Sequence, residues 1–114
     1  MMNVRILKRI LFEICRDGFV RDVIYFCDED DDCYSVNSIY KDSIGEVCLN
    51  CSDGDHEYTA SQILHKLKKF DPNARAYVLY YENCEAYTNE ISGHWYTEEN
   101  EYGFHDAYID CYEE

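Results

Sequence analysis

The sequence predicts an α+β domain: two α-β-β-β units forming a mostly antiparallel sheet, with both helices on one face. Three observations predict it. Apolar residues recur at helical spacing in two separated stretches. Each stretch is followed by runs of β-branched and aromatic residues bounded by turn residues. The runs after the first stretch also parallel those after the second. With 114 residues, 46% of them hydrophobic, the chain fits one domain over 1–114 with one shared core.

Leu7, Ile10, Leu11 and Ile14 lie on one face of a first helix, which the pair Asp17-Gly18 should end. The segment 21–26 (RDVIYF) then reads as a strand, followed by 36–40 (VNSIY) and 46–51 (EVCLNC). A second helix starts at Thr59, where Thr59-Ala60-Ser61-Gln62 fits a capping box. Its stripe is Ala60, Ile63, Leu64 and Leu67, and Asp71-Pro72-Asn73 closes the segment. Segments 75–80 (RAYVLY), 91–96 (ISGHWY) and 106–111 (DAYIDC) parallel the three earlier strands in order. The units expected are therefore 3–58 and 59–114.

Charge follows this division. The chain has 24 acidic and 10 basic residues, for a net −14. Residues 1–21 carry five bases and two acids, and residues 59–81 four bases and one acid. Residues 22–58 hold eleven acids against Lys41 alone, and residues 82–114 hold ten acids and no base. The β-segments carry the acidity. A surface of this sign repels nucleic acid and acidic membranes and steers toward basic partners.

Strand alternation sorts the faces. In 106–111, Ala107, Ile109 and Cys111 point inward, and Asp106, Tyr108 and Asp110 outward. In 46–51, Val47, Leu49 and Cys51 point inward, and Glu46, Cys48 and Asn50 outward. The outer face thus combines carboxylates with tyrosines, of which the chain has twelve. Tyr suits strands, and it also gives wide contact at low entropic cost on binding surfaces. Trp95 and Tyr96 fit either a core or an anchoring role.

The stretch Cys27-Asp28-Glu29-Asp30-Asp31-Asp32-Cys33-Tyr34 sets five consecutive acids between two thiols. Asp28, Asp30 and Asp32 have the alternate spacing of calcium ligands, but Cys33 and Ile39 stand where an EF-hand needs Gly and Glu. Cys48 and Cys51 with Cys27 and Cys33 lack the spacing of a zinc ribbon. No metal or cofactor is expected. The chain has no Gly-rich phosphate loop, G-x-S-x-G or H-E-x-x-H, so a non-enzymatic role is expected. His94 and His105 near Cys84 would be the one catalytic pairing to look for. Gly93 is the expected site of a β-bulge. MMNVRILKRILFE lacks the uninterrupted apolar core of a signal peptide, and no apolar run approaches a membrane span, which predicts a cytoplasmic protein with reduced thiols.

In size, and in the segments CDEDDDCY, YTEENEYGFHD and CYEE, the chain resembles the small acidic anti-CRISPR and anti-restriction proteins of phages and mobile elements. The resemblance implies an inhibitor that occupies the nucleic-acid-binding surface of a defence effector nuclease, by mimicry or by blocking. It carries no site residue with it. Carboxylates two apart on a strand lie ~6.6 Å apart and strands ~4.8 Å apart, a charge density that approaches one per ~1.7 Å of DNA axis when several strands contribute. The residues expected to meet a basic protein partner are Asp28, Glu29, Asp30, Asp31, Asp32 and Tyr34 in the first unit. In the second they are Glu98, Glu99, Glu101, Tyr102, Asp106, Tyr108 and Asp110. An immunity protein or antitoxin against a basic toxin, or an adaptor module, would use the same physics.

Overall fold

The computed structural model describes residues 2–51 and 57–113. Asp53, Asp55, His56 and the terminal Glu114, counted in the charge and histidine patterns above, lie outside the described residues.

Helix α1 spans Val4–Arg16 and buries Val4, Leu7, Ile10, Leu11 and Ile14, the stripe its spacing predicts. Asn3 caps it, its side chain accepting from the Ile6 N–H at 2.8 Å. Gly18, at φ 98°, follows the C-cap Asp17. Helix α2 spans Ala60–Leu67, and both bonds of the Thr59–Gln62 capping box are made, at 3.0 and 3.3 Å.

Among the described residues, seven strands form one sheet: β1 (Ile24–Cys27), β2 (Cys33–Ser35), β3 (Ser38–Lys41), β4 (Val47–Asn50), β5 (Ala76–Glu82), β6 (Glu85–Glu99) and β7 (His105–Glu113). Their order is β2-β1-β7-β6-β5-β4-β3. The α+β class holds, with two corrections of detail. The first half carries four strands, because Cys33–Ser35 pairs with β1. The sheet is mixed, because β1–β7 and β4–β5 are parallel while the other neighbours are antiparallel. Both parallel pairs join strands from different halves, which local sequence text does not reveal. The β4–β5 pair is bridged by α2, as a parallel connection requires a crossover.

One set of backbone bonds occurs twice. The Val4 and Arg5 N–H groups at the start of α1 donate to the Ala74 and Pro72 carbonyls (2.9 and 3.0 Å), just ahead of β5. The Ala60 and Ser61 N–H groups at the start of α2 donate to Asp22 and Val20 (3.0 and 3.3 Å), just ahead of β1. Ala76 N–H donates to Met2, and Ile24 N–H to Tyr58; Val47 donates to Arg75, and Ala107 to Val23. Each helix therefore satisfies two of its unpaired N-terminal donors on the strand leader of the other half.

Inward residues of five strands meet both helical stripes in one core: Ile24 and Phe26, Val47 and Leu49, Ala76 and Val78, Ile91, and Ala107 and Ile109. Trp95 packs against this core. Between Ile91 and Trp95 the β6–β7 register slips, so the bulge contains Gly93, as its sequence suggests. Helix α1 rises only ~20 Å over its 13 residues, well short of the 41 Å long axis of the molecule.

Candidate functional site

The uncovered face of the sheet carries two rows of side chains. One runs Tyr40–Cys48–Tyr77–Glu90–Tyr112 across β3, β4, β5, β6 and β7. The other runs Tyr96–Tyr108–Tyr25 across β6, β7 and β1. The first row is tied down by its own partners. Tyr77 donates to Asp42 at 2.9 Å, and Arg75 lies over the Tyr77 ring while pairing with Glu46 at 3.3 Å. Cys48 points to this face as expected, yet it is buried. Tyr40 reaches it in a hydrogen bond that, with burial, pushes the Tyr40 phenol up to about 12.

The second row is the candidate site. Tyr108 stacks on Tyr96 at 5.2 Å and on Tyr25 at 5.6 Å, all three half-buried. Partial desolvation and nearby carboxylates raise the three phenols: Asp106 and Glu98 act on Tyr108; Asp110, Glu98 and Asp31 on Tyr96; Glu57 and Asp106 on Tyr25. The rings are thus held neutral as hydrogen-bond donors within an acidic field. Glu98 faces Asp106 across the strands, and His94 bonds Asp110 at 2.8 Å. A sheet face of this kind offers flat aromatic contact ringed by acceptors.

Three hairpin turns of the sheet share one construction. In residues 28–32, 42–46 and 100–104 the first residue's Oδ1 accepts from the N–H groups two and four positions on. The first N–H bonds the fifth carbonyl in each, and the fourth N–H bonds the first carbonyl. The fourth residue has positive φ: Asp31 at 62°, Gly45 at 87° and Gly103 at 82°. These are three-residue hairpin loops with a left-handed residue, where Gly is the unstrained choice. The acid run is therefore a built turn in which Asp28 holds the backbone.

The structure brings the predicted residues together in part. Asp106, Tyr108, Asp110 and Glu98 share the open face with Tyr96 and Tyr25. Glu99, Glu101 and Tyr102 sit at the β6–β7 hairpin, exposed. The acid turn straddles the sheet: Asp31 acts on Tyr96, while Asp28 and Asp32 act on Tyr34. Tyr34 stands on the helix side, stacked on Tyr80 at 4.3 Å, away from Tyr108. Tyr25 and Glu57 escaped sequence reasoning. For Tyr25 the alternation of Ile24, Tyr25 and Phe26 held the signal.

One expectation is corrected. Cys27 and Cys33, opposite each other in the β1–β2 pair with Cα atoms 4.2 Å apart, form a disulfide, so the thiols are not all reduced. The five-residue turn makes them facing partners, which compartment reasoning does not see. Cys15, Cys48, Cys51, Cys84 and Cys111 are free. His94, His105 and Cys84 are dispersed. Cys84 precedes β6, and His105 pairs with Glu99 at the far end of that strand.

No protein-family model, curated protein or solved structure matches the chain.

Proposed function

We propose that the protein is an acidic binding module that occupies the nucleic-acid-binding surface of a basic protein, in the manner of anti-CRISPR and anti-restriction inhibitors. The observation that carries this reading is the Tyr96–Tyr108–Tyr25 row, flanked by carboxylates at both ends. The acid turn follows β1 beside Asp110, and Glu98 and Asp106 face each other near the start of β7, with Glu101 in the turn before it. Along β7 these banks are on the order of 17 Å apart, the scale of the ~12 Å major groove between two phosphate backbones. Binding at a basic groove releases counterions from the acid banks and buries the rings between them.

Asp31 supports the same reading. The two sister turns place Gly at its position, and here a charged residue is kept in the strained conformation. On this reading the target is a defence effector nuclease in the bacterial cytoplasm, and the module acts without catalysis or cofactor. No helix among the described residues is long and apolar enough to cross a membrane. The repeated backbone bonds also support two related units within the chain.

The test is capture from a lysate containing CRISPR and restriction complexes, eluted by salt, followed by competition with duplex DNA. An effector nuclease that elutes at raised salt and exchanges directly with DNA supports the reading. Capture that persists with DNA bound defeats mimicry. Capture of a toxin instead moves the assignment to the immunity class.

A further inference from the structure

On the helix side, past the helix ends, a cleft of about 130 Å³ opens between the acid turn and the β5–β6 hairpin. Asp28, Glu29 and Asp30 line it from the turn, and Glu82 from β5. Tyr80 and Tyr87, stacked at 5.6 Å, supply ring surface. Asn89 also lines it, fully buried, and its Oδ1 has no hydrogen-bond partner. The amide orientation follows from its neighbour. The Cys111 thiol donates to the Cys27 carbonyl at 3.4 Å, so its sulfur accepts from Asn89 Nδ2 at 3.6 Å. The amide oxygen is the atom left over. A buried bare carbonyl is costly unless something donates to it, and its residue lines a cleft with four carboxylates.

The ligand that fits is a cation with several N–H donors and flat faces. Among the described residues no group of three or more His, Cys, Asp or Glu converges to hold a metal ion. Ring walls also offer a hard metal ion no ligand. A guanidinium group suits all three components: carboxylates pair with it, aromatic surface attracts it, and a remaining N–H reaches the carbonyl. The cleft has room for a group of this size.

We propose that this cleft is a guanidinium pocket that receives an arginine side chain of the basic partner. The proposal rests on the reading of the protein as a binder of basic proteins, but its test needs no partner. The isotope-labelled protein is titrated with N-acetyl-arginine-methylamide, with the citrulline analogue, with agmatine and with calcium chloride, and the Asn89 side-chain amide is followed by NMR. The arginine compound should give saturable shifts at Asn89 and Tyr87, the neutral citrulline compound none. Glu82→Gln and Asp30→Asn, both at exposed positions, should each weaken binding several-fold with the fold intact. Absent saturation at Asn89, equal response to citrulline, or displacement by calcium at matched concentration would overturn the pocket. Agmatine binding tighter than the capped arginine would overturn the partner's side chain as its source. Salt-dependent capture of a basic effector by a protein whose pocket fails these tests leaves the surface reading in place.

Discussion

Asp31 and Gly45 occupy the same position of the same turn, at φ 62° and 87°. An L-residue there costs on the order of 1 kcal/mol relative to Gly, less for Asp than for a bulkier side chain. Asp31→Gly should therefore raise stability by about 0.5 to 1 kcal/mol in urea unfolding. The same variant should weaken capture of the basic partner by removing one carboxylate from beside Tyr96. A destabilised variant would mean that Asp31 holds the turn through its side chain.

Tyr108 is central to the second aromatic row, and Tyr108→Ala removes both of its stacks. Each such pair contributes about 0.5 to 1.5 kcal/mol. The domain should stay folded, while partner capture falls at least tenfold if the row is the anchor. Asp110→Lys should reduce the association rate and flatten its salt dependence. Unchanged capture in both variants would move the interface off the open face.

The Cys27–Cys33 disulfide closes a loop with a sequence separation of 6. On the chain-entropy model that corresponds to about 2 kcal/mol. The double variant Cys27→Ser, Cys33→Ser should lose roughly that much in chemical denaturation, and the wild type should lose the same on adding reductant. A loss only on reduction would point to a different thiol chemistry.

Stability should fall on the alkaline side. Tyr40 has its phenol raised from 10.0 to about 12 by its hydrogen bond with Cys48 and by burial. Tyr25, Tyr34, Tyr77, Tyr96 and Tyr108 are shifted upward too, burial leading in each. A folded-state value above the unfolded one gives stability that is complete below pH 10 and lost as the pH rises toward 12. Tyrosinate absorbance and the loss of circular dichroism should coincide in that window. Ionisation of Tyr25, Tyr96 and Tyr108 at pH 10 in a chain that stays folded, followed residue by residue by NMR, would contradict the burial argument.

Thr59 and Asn3 cap helices that start on the other half's strand leader. Thr59→Ala should cost about 1 kcal/mol by removing the bond to the Gln62 N–H. Because Ala60 and Ser61 bond Asp22 and Val20, hydrogen exchange should quicken at both of those helix-start amides. Confinement of the change to α2's interior would show that the cap acts on the helix alone.

Local features were legible from residue patterns. The α1 stripe, the capping box at Thr59 and the alternation of 106–111 each describe their element, because helix and strand periodicity are properties of adjacent text. What escaped was non-local. The text of β1 shows no preference for β7 over its own unit's strands. Cys33–Ser35 is too short to show alternation, and the acid turn hides its left-handed residue because Asp31 stands where DSIGE and NEYGF write Gly. The open face was half legible: its acids and Tyr108 followed from alternation, whereas Tyr25 joins it only through the parallel pairing with β7.

The parallel seating of β1 beside β7 has a consequence during synthesis. β1 leaves the ribosome well before β7, so Ile24 and Phe26 wait for all the intervening strands before Ala107 and Ile109 reach them. Neither half can close its core in the meantime, since each helix start also awaits the other half. The nascent chain emerges with its apolar strands uncovered and gains its fold in one late step.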